Sequence, residues 1–158
     1  MSIPPQDEFD PFAGSIVERV VASSEAQREV WLADQLGTHA SLSFNESGEL
    51  RLRGPLDVQA LEAAIGALLR RHEALRATFG PDGTEILINA VSTFNLPHED
   101  ISAVGAQERT RRMEQVVVEA VETPFNLRTG PLLRAKLYRL AVSEHVLVLT
   151  VHHIVCDG

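Results

Sequence analysis

Two adjacent histidines, His152 and His153, follow an apolar and largely β-branched run, Val146-Leu147-Val148-Leu149-Thr150-Val151, and the chain continues Ile154-Val155-Cys156-Asp157-Gly158. An imidazole titrates near working pH, so a neutral histidine at a strand end can accept a proton from an incoming nucleophile. The run before it reads as a strand buried on both faces. Because side chains alternate faces along a strand, the two rings point opposite ways, one toward a cleft and the other into the interior. The pair therefore reads as one base and one brace. Asp157 either fixes the imidazole or pairs with an arginine and holds the turn in shape, and the Asp157-Gly158 dipeptide is also a plain turn signal. No metal site is expected, since adjacent strand histidines diverge and a third ligand is not evident. Cys156 has no base assigned to it and no thiolate-stabilising neighbour in sequence, so it is not read as a nucleophile.

Composition narrows what such a pair serves. The 158 residues fit one domain, and 44% hydrophobic residues suffice for a core. A formal net charge of −8 disfavours nucleic acid or an anionic membrane as the main partner. A single cysteine cannot form an internal disulfide. The opening Met-Ser-Ile-Pro-Pro lacks the basic and apolar regions of a signal peptide, and no apolar stretch approaches membrane-spanning length. A cytoplasmic protein is expected.

The elements that must position the histidines can be read in chain order. Residues 1–14, with Pro4, Pro5, Pro11, Asp7, Glu8 and Asp10, read as a flexible leader. Ile16 to Val21 forms a short strand, a pairing segment of the leader or a helical turn. Ser24-Glu25-Ala26-Gln27 matches a capping box, predicting a helix to about Leu36 with Ala26, Val30 and Ala33 on the buried stripe, Trp31 as a packing anchor, and Glu25, Arg28, Glu29 and Asp34 in water. Leu42 to Arg53 reads as a half-buried strand. Asp57 caps a second helix, with Leu56 and Leu61 as a hydrophobic staple and Leu61, Ala64, Ile65 and Leu68 as its inner face, ending near Arg70-Arg71-His72. Gly80-Pro81-Asp82-Gly83 predicts a hairpin between Leu75–Phe79 and Thr84–Ile88. A looser connection runs through Asn95-Leu96-Pro97 to Ser102. A third helix from about Gly105 to Glu122 buries Met113, Val116, Val117, Ala120 and Val121, exposes Arg109, Arg111, Arg112 and Glu119, and stops at Pro124. Leu132 to Leu140 is a strand leading into the final one. The order suits a layered α/β (α+β) lobe, with helices packed on a mostly antiparallel or mixed sheet.

His152-His153-Ile154-Val155-Cys156-Asp157-Gly158 resembles the His-His-x-x-x-Asp-Gly signature of the condensation domains of nonribosomal peptide synthetases. Ser24-Glu25-Ala26-Gln27-Arg28-Glu29-Val30-Trp31 is similar to that family's first motif. Arg71-His72-Glu73-Ala74-Leu75-Arg76-Ala77-Thr78-Phe79 is similar to its second, with Ala77 where threonine is more usual. Pro124-Phe125-Asn126-Leu127 through Arg134 is similar to the family's Pro-Phe-Asp-Leu stretch, with Asn126 in place of aspartate. All four occur in family order, from about residue 20 to the end.

The resemblance implies a chloramphenicol-acetyltransferase-like fold of two lobes with a channel between them, residues 15–158 being the N-terminal lobe, cut at the signature and alone expected to be inactive. It implies amide-bond formation between a donor acyl or peptidyl thioester and an aminoacyl acceptor, both carried on the 4′-phosphopantetheine of upstream and downstream peptidyl carrier proteins, with no bound cofactor. The other partner would be the missing C-terminal lobe. His153 would lie at the reacting centre as general base or as a positioning group. His152 would support it, Asp157 would be an ion-pair partner of Arg71 or Arg76, and Gly158 would leave room for substrate. An ester-forming relative with the same signature, an epimerisation domain and a non-catalytic recruitment module are the alternatives. The Arg70-Arg71 and Arg109-Arg111-Arg112 clusters read as solvated helix surface, and otherwise as contacts for acidic carriers. The leader would contact an upstream polypeptide.

Overall fold

The computed structural model describes residues 16–90 and 94–156. The expected leader and the residues Asp157 and Gly158 lie outside them. Strand β1 (Val17–Ala22) leads into helix α1 (Glu25–Asp34), and a short helix α2 (Thr38–Leu42) precedes strand β2 (Asn45–Arg53). Helix α3 (Val58–Arg71) and a 3₁₀ turn (Glu73–Arg76) are followed by β3 (Ala77–Phe79), β4 (Glu85–Asn89) and β5 (His98–Asp100). Helix α4 (Ala106–Glu122), β6 (Leu133–Ala141), β7 (Glu144–His152) and a second 3₁₀ turn (His153–Val155) complete the described chain.

The layered α/β reading holds, with the strands divided between two sheets. Three strands, in the order β1-β4-β3, pair antiparallel. Four strands, in the order β2-β7-β6-β5, form a mixed sheet whose only parallel pair among the described residues is β5-β6. Strand β7 is interior to that sheet, so its apolar run is covered on both faces and alternate residues serve different helices. Leu147 packs with Ile65 of α3, Leu96 and Leu137, while Val146 and Val148 pack with Val116 of α4, Ile101, Tyr138 and Leu140. A third cluster joins the three-stranded sheet to the end of β7: Trp31, Phe79, Ile86, Ile88, Phe125, Leu127 and Leu132 surround Ile154.

Local signals explain most element boundaries. The capping box forms, because Ser24 Oγ accepts from the Gln27 N–H at 3.2 Å while Gln27 Oε1 accepts from the Ser24 N–H at 3.0 Å. Asp57 Oδ1 accepts from the Ala60 N–H at 3.0 Å and starts α3. In the hairpin, Gly83 has φ +71° and a Cβ there would come within 2.5 Å of the Trp31 ring, so the turn and the tryptophan are fitted to each other. Asn126 does the work expected of an aspartate: its Oδ1 accepts from the N–H groups of Arg128 and Thr129 at 3.0 and 3.2 Å.

Other expectations are corrected. A short helix forms over residues 38–42, so β2 begins at Asn45 rather than at Leu42, and β5 forms inside the supposed loose connection. Of the three readings left open for residues 16–21, the strand is the one that forms, over Val17–Ala22. In α3 the inner face runs through Ile65, Gly66 and Leu69, leaving Leu68 50% exposed. In α1, Ala26 is exposed and Asp34 is buried, the reverse of the expectation. Val121 in α4 is exposed. Two arginines of α4 are tied down: Arg109 donates to the Leu140 carbonyl at 2.9 Å, and Arg112 pairs with Glu99 and Glu119 at 3.4 Å. No helix among the described residues is long and apolar enough to cross a membrane.

Candidate active site

Strand β7 ends at His152 because its own side chain stops it. His152 Nδ1 accepts from the Ile154 N–H at 3.2 Å, capping the 3₁₀ turn that follows. The backbone is held from both sides: the His152 N–H donates to the Leu132 carbonyl at 3.0 Å and the His153 N–H to the Phe44 carbonyl at 2.9 Å. Gln27 of α1 adds a third hold, its Nε2 donating to the Ile154 carbonyl at 3.4 Å. The capping residue of the first motif therefore also braces the histidine turn.

The two rings meet different surroundings. His152 is 0% exposed and sits beside Phe44 and edge-on to Phe125, with ring centroids 5.6 and 5.9 Å away. Its Nε2 lies 3.4 Å from Asp34 Oδ1 without the alignment of a hydrogen bond. Because Nδ1 accepts a hydrogen bond, the neutral ring carries its proton on Nε2, toward that carboxylate. Burial pushes the His152 pKa below the ordinary histidine value; the Asp34 carboxylate opposes the push without reversing it. Ile154, next but one along the turn, is 5% exposed and locked in the third core cluster.

His153 lies between these two anchors, and its side chain is 43% exposed. Its Nδ1 is 2.6 Å from Glu46 Oε1, and its Nε2 makes no hydrogen bond among the described residues. His153 borders a cleft of about 330 Å³, together with Ser24, Gln27, Val30, Ala74, Val155 and Cys156. An imidazole so placed can accept a proton at Nε2 from a group entering the cleft.

Of the other expected site residues, Asp157 and Gly158 lie outside the described residues, and with them the pairing of Asp157 to an arginine. Arg76 is buried, with Glu18 and Glu73 as ion-pair partners and the Asn89 carbonyl accepting from it at 2.7 Å. Arg71 is exposed on the last turn of α3. Cys156 is half-buried at the cleft border. No group of three or more potential metal-ligating side chains gathers among the described residues.

Sequence reasoning missed Asp34 and Glu46, and took Gln27 only as a cap. Gln27, Val30, Trp31 and Asp34 fall at i, i+3, i+4 and i+7, the inner face of α1. The polar ends of that stripe conceal it from a search for apolar residues. Glu46 becomes visible only with the register, in which Asn45 faces His152 and Glu46 faces Val151.

The family described as "Condensation domain" matches residues 17–158. Chondramide synthase of Chondromyces crocatus is 38% identical over 141 residues, a match covering 88% of this chain and 4% of that protein. Phosphinothricin tripeptide synthetase of Streptomyces viridochromogenes is 37% identical over 140 residues, covering 87% of this chain and 13% of that one. The crystal structure of the starter condensation domain of the rhizomide synthetase superposes with a TM-score of 0.74 at 28% identity, over 89% of this chain and 34% of the other. The chain thus spans a small part of these synthetases and about a third of the solved domain.

Proposed function

The chain belongs to the condensation-domain family, and from that premise we propose that it contributes the histidine-bearing lobe of a domain that forms amide bonds in nonribosomal peptide biosynthesis. The acceptor amine, on the aminoacyl thioester of a downstream carrier protein, attacks the carbonyl carbon of the donor thioester on an upstream carrier. A C–N bond forms and the C–S bond breaks. The proton lost by the amine passes to His153 Nε2 and then to the departing pantetheine thiolate. Both substrates arrive on 4′-phosphopantetheine arms, so the lobe itself needs no resident cofactor. A second lobe completes the channel, and the lobe alone is not expected to turn over.

The reading rests on one observation: His153, 43% exposed, borders a cleft and lies between two buried neighbours, His152 and Ile154, that fix its backbone. A held neutral amine is already a competent nucleophile, so orientation supplies part of the rate and proton acceptance the rest. Asp157 is assigned to holding the turn through an arginine. Arg71 is preferred to Arg76, whose head is already engaged by Glu18, Glu73 and the Asn89 carbonyl. Gly158 is assigned to keeping the channel open. In the complete domain, supplied with loaded donor and acceptor carriers, His153→Ala is expected to slow product formation about 10²–10⁴-fold while leaving the fold intact. Product formation at the parent rate would refute the assignment.

A further inference from the structure

Glu46 and His153 are neighbours because of strand register. The residue sum across the β2-β7 ladder is constant, Asn45 opposite His152 and Glu46 opposite Val151, and the Phe44 carbonyl continues it by accepting from the His153 N–H at 2.9 Å. Glu46 and His153 therefore lie diagonally on one face of the sheet. Diagonal neighbours are about 7–8 Å apart at the backbone, a gap that long side chains bridge. Glutamate and histidine do so here, with Oε1 and Nδ1 2.6 Å apart. Among the described residues strand β2 is the outer strand of its sheet, and both side chains stay 43% exposed.

We propose that Glu46 is the positioning residue for His153: its carboxylate accepts from Nδ1–H, which fixes the tautomer with a free lone pair on Nε2 and aims that nitrogen into the cleft. A carboxylate accepts only, so the proton in this contact belongs to the imidazole. The bond made by one ring nitrogen sets the state of the other. When Nε2 takes the amine proton, the imidazolium that forms faces a negative charge already in place, so the interaction strengthens as the reaction proceeds. The inference rests on the catalytic reading of His153 but is separable from it. The same logic gives His152 the opposite tautomer: its Nδ1 accepts, so its proton is on Nε2.

The test uses two-bond ¹H–¹⁵N correlation spectra of the histidines in this chain at neutral pH, with the His153 signals identified by their loss in His153→Gln. The parent is expected to show the Nδ1–H pattern. Glu46→Ala should remove it in favour of Nε2–H, and Glu46→Gln, whose amide oxygen still accepts, should keep it. In the complete domain Glu46→Ala is expected to lower kcat about 10-fold with little change in acceptor KM, and Glu46→Gln to recover part of the loss. An Nε2–H pattern in the parent, or a tautomer indifferent to Glu46→Ala, would overturn the role of Glu46 even if His153→Ala abolished turnover. Normal turnover in His153→Ala would overturn the catalytic reading and leave the tautomer result standing.

Discussion

His152 and His153 are the same residue one peptide bond apart, and the molecule treats them as different chemical groups. On the inner side His152 is enclosed by Phe44, Phe125 and Asp34, bonded at Nδ1 and held neutral by burial. On the outer side His153 meets strand β2, one carboxylate and a cleft. Environment rather than residue type distributes the roles: a ring that cannot leave its position makes its neighbour's position reproducible. The division arises from the turn as much as from strand alternation, because β7 stops at His152 and the 3₁₀ turn buries Ile154 on the far side of His153.

The contrast can be broken most forcefully from the inside. His152→Ala removes a fully enclosed ring and leaves the buried Asp34 Oδ1 facing a cavity, with only Oδ2 still held by Gln35, so urea unfolding is expected to show a loss of about 3 kcal/mol. A similar loss in His153→Ala, whose side chain is 43% exposed, would erase the distinction between the enclosed ring and the accessible one.

Acidification probes the same difference more gently. The folded state depresses the His152 pKa below the ordinary 6.5, so the unfolded chain binds the proton first as pH falls. The contribution of neutral His152 is complete above that value and is lost as the pH drops below it, with a slope of at most about 1.4 kcal/mol per pH unit for one group. Stability measured between pH 7.5 and 5.5 should decline, and His152→Gln should flatten that part of the decline. An unchanged pH slope in His152→Gln would show that His152 is not its source.

The smallest effect is expected at Gln27, which closes the capping box and holds the Ile154 carbonyl. Gln27→Ala should cost about 1 kcal/mol in stability. If the brace matters to the outer ring, the variant should also slow turnover in the complete domain more than an equally destabilising change elsewhere on α1, such as Glu25→Gly. Equal effects would reduce Gln27 to a cap.

The sequence disclosed those features that local chemistry decides. The Ser24 and Asp57 caps, the hairpin around Asp82-Gly83, the extent of α4 and the buried apolar run of β7 each follow from a few adjacent residues. It also disclosed the two histidines and their opposite exposure. What it concealed depends on partners far along the chain. Asp34 looked solvated because a charged residue usually is, yet it is buried against the enclosed ring of His152, 118 positions away, with Gln35 donating to its Oδ2. Glu46 looked like an ordinary strand-surface residue until register placed it beside His153. The division of strands between two sheets was hidden for the same reason, since pairing is settled by long-range packing rather than by propensity.

Trp31 is the sole tryptophan of the chain, and it lies against Gly83 in the same cluster as Ile154. The molecule thereby carries its own optical probe packed in the same cluster as the histidine turn. Its indole emission should be blue-shifted in the native fold and move to the red as soon as this packing loosens, which makes a cuvette fluorimeter sufficient to follow the site without any label.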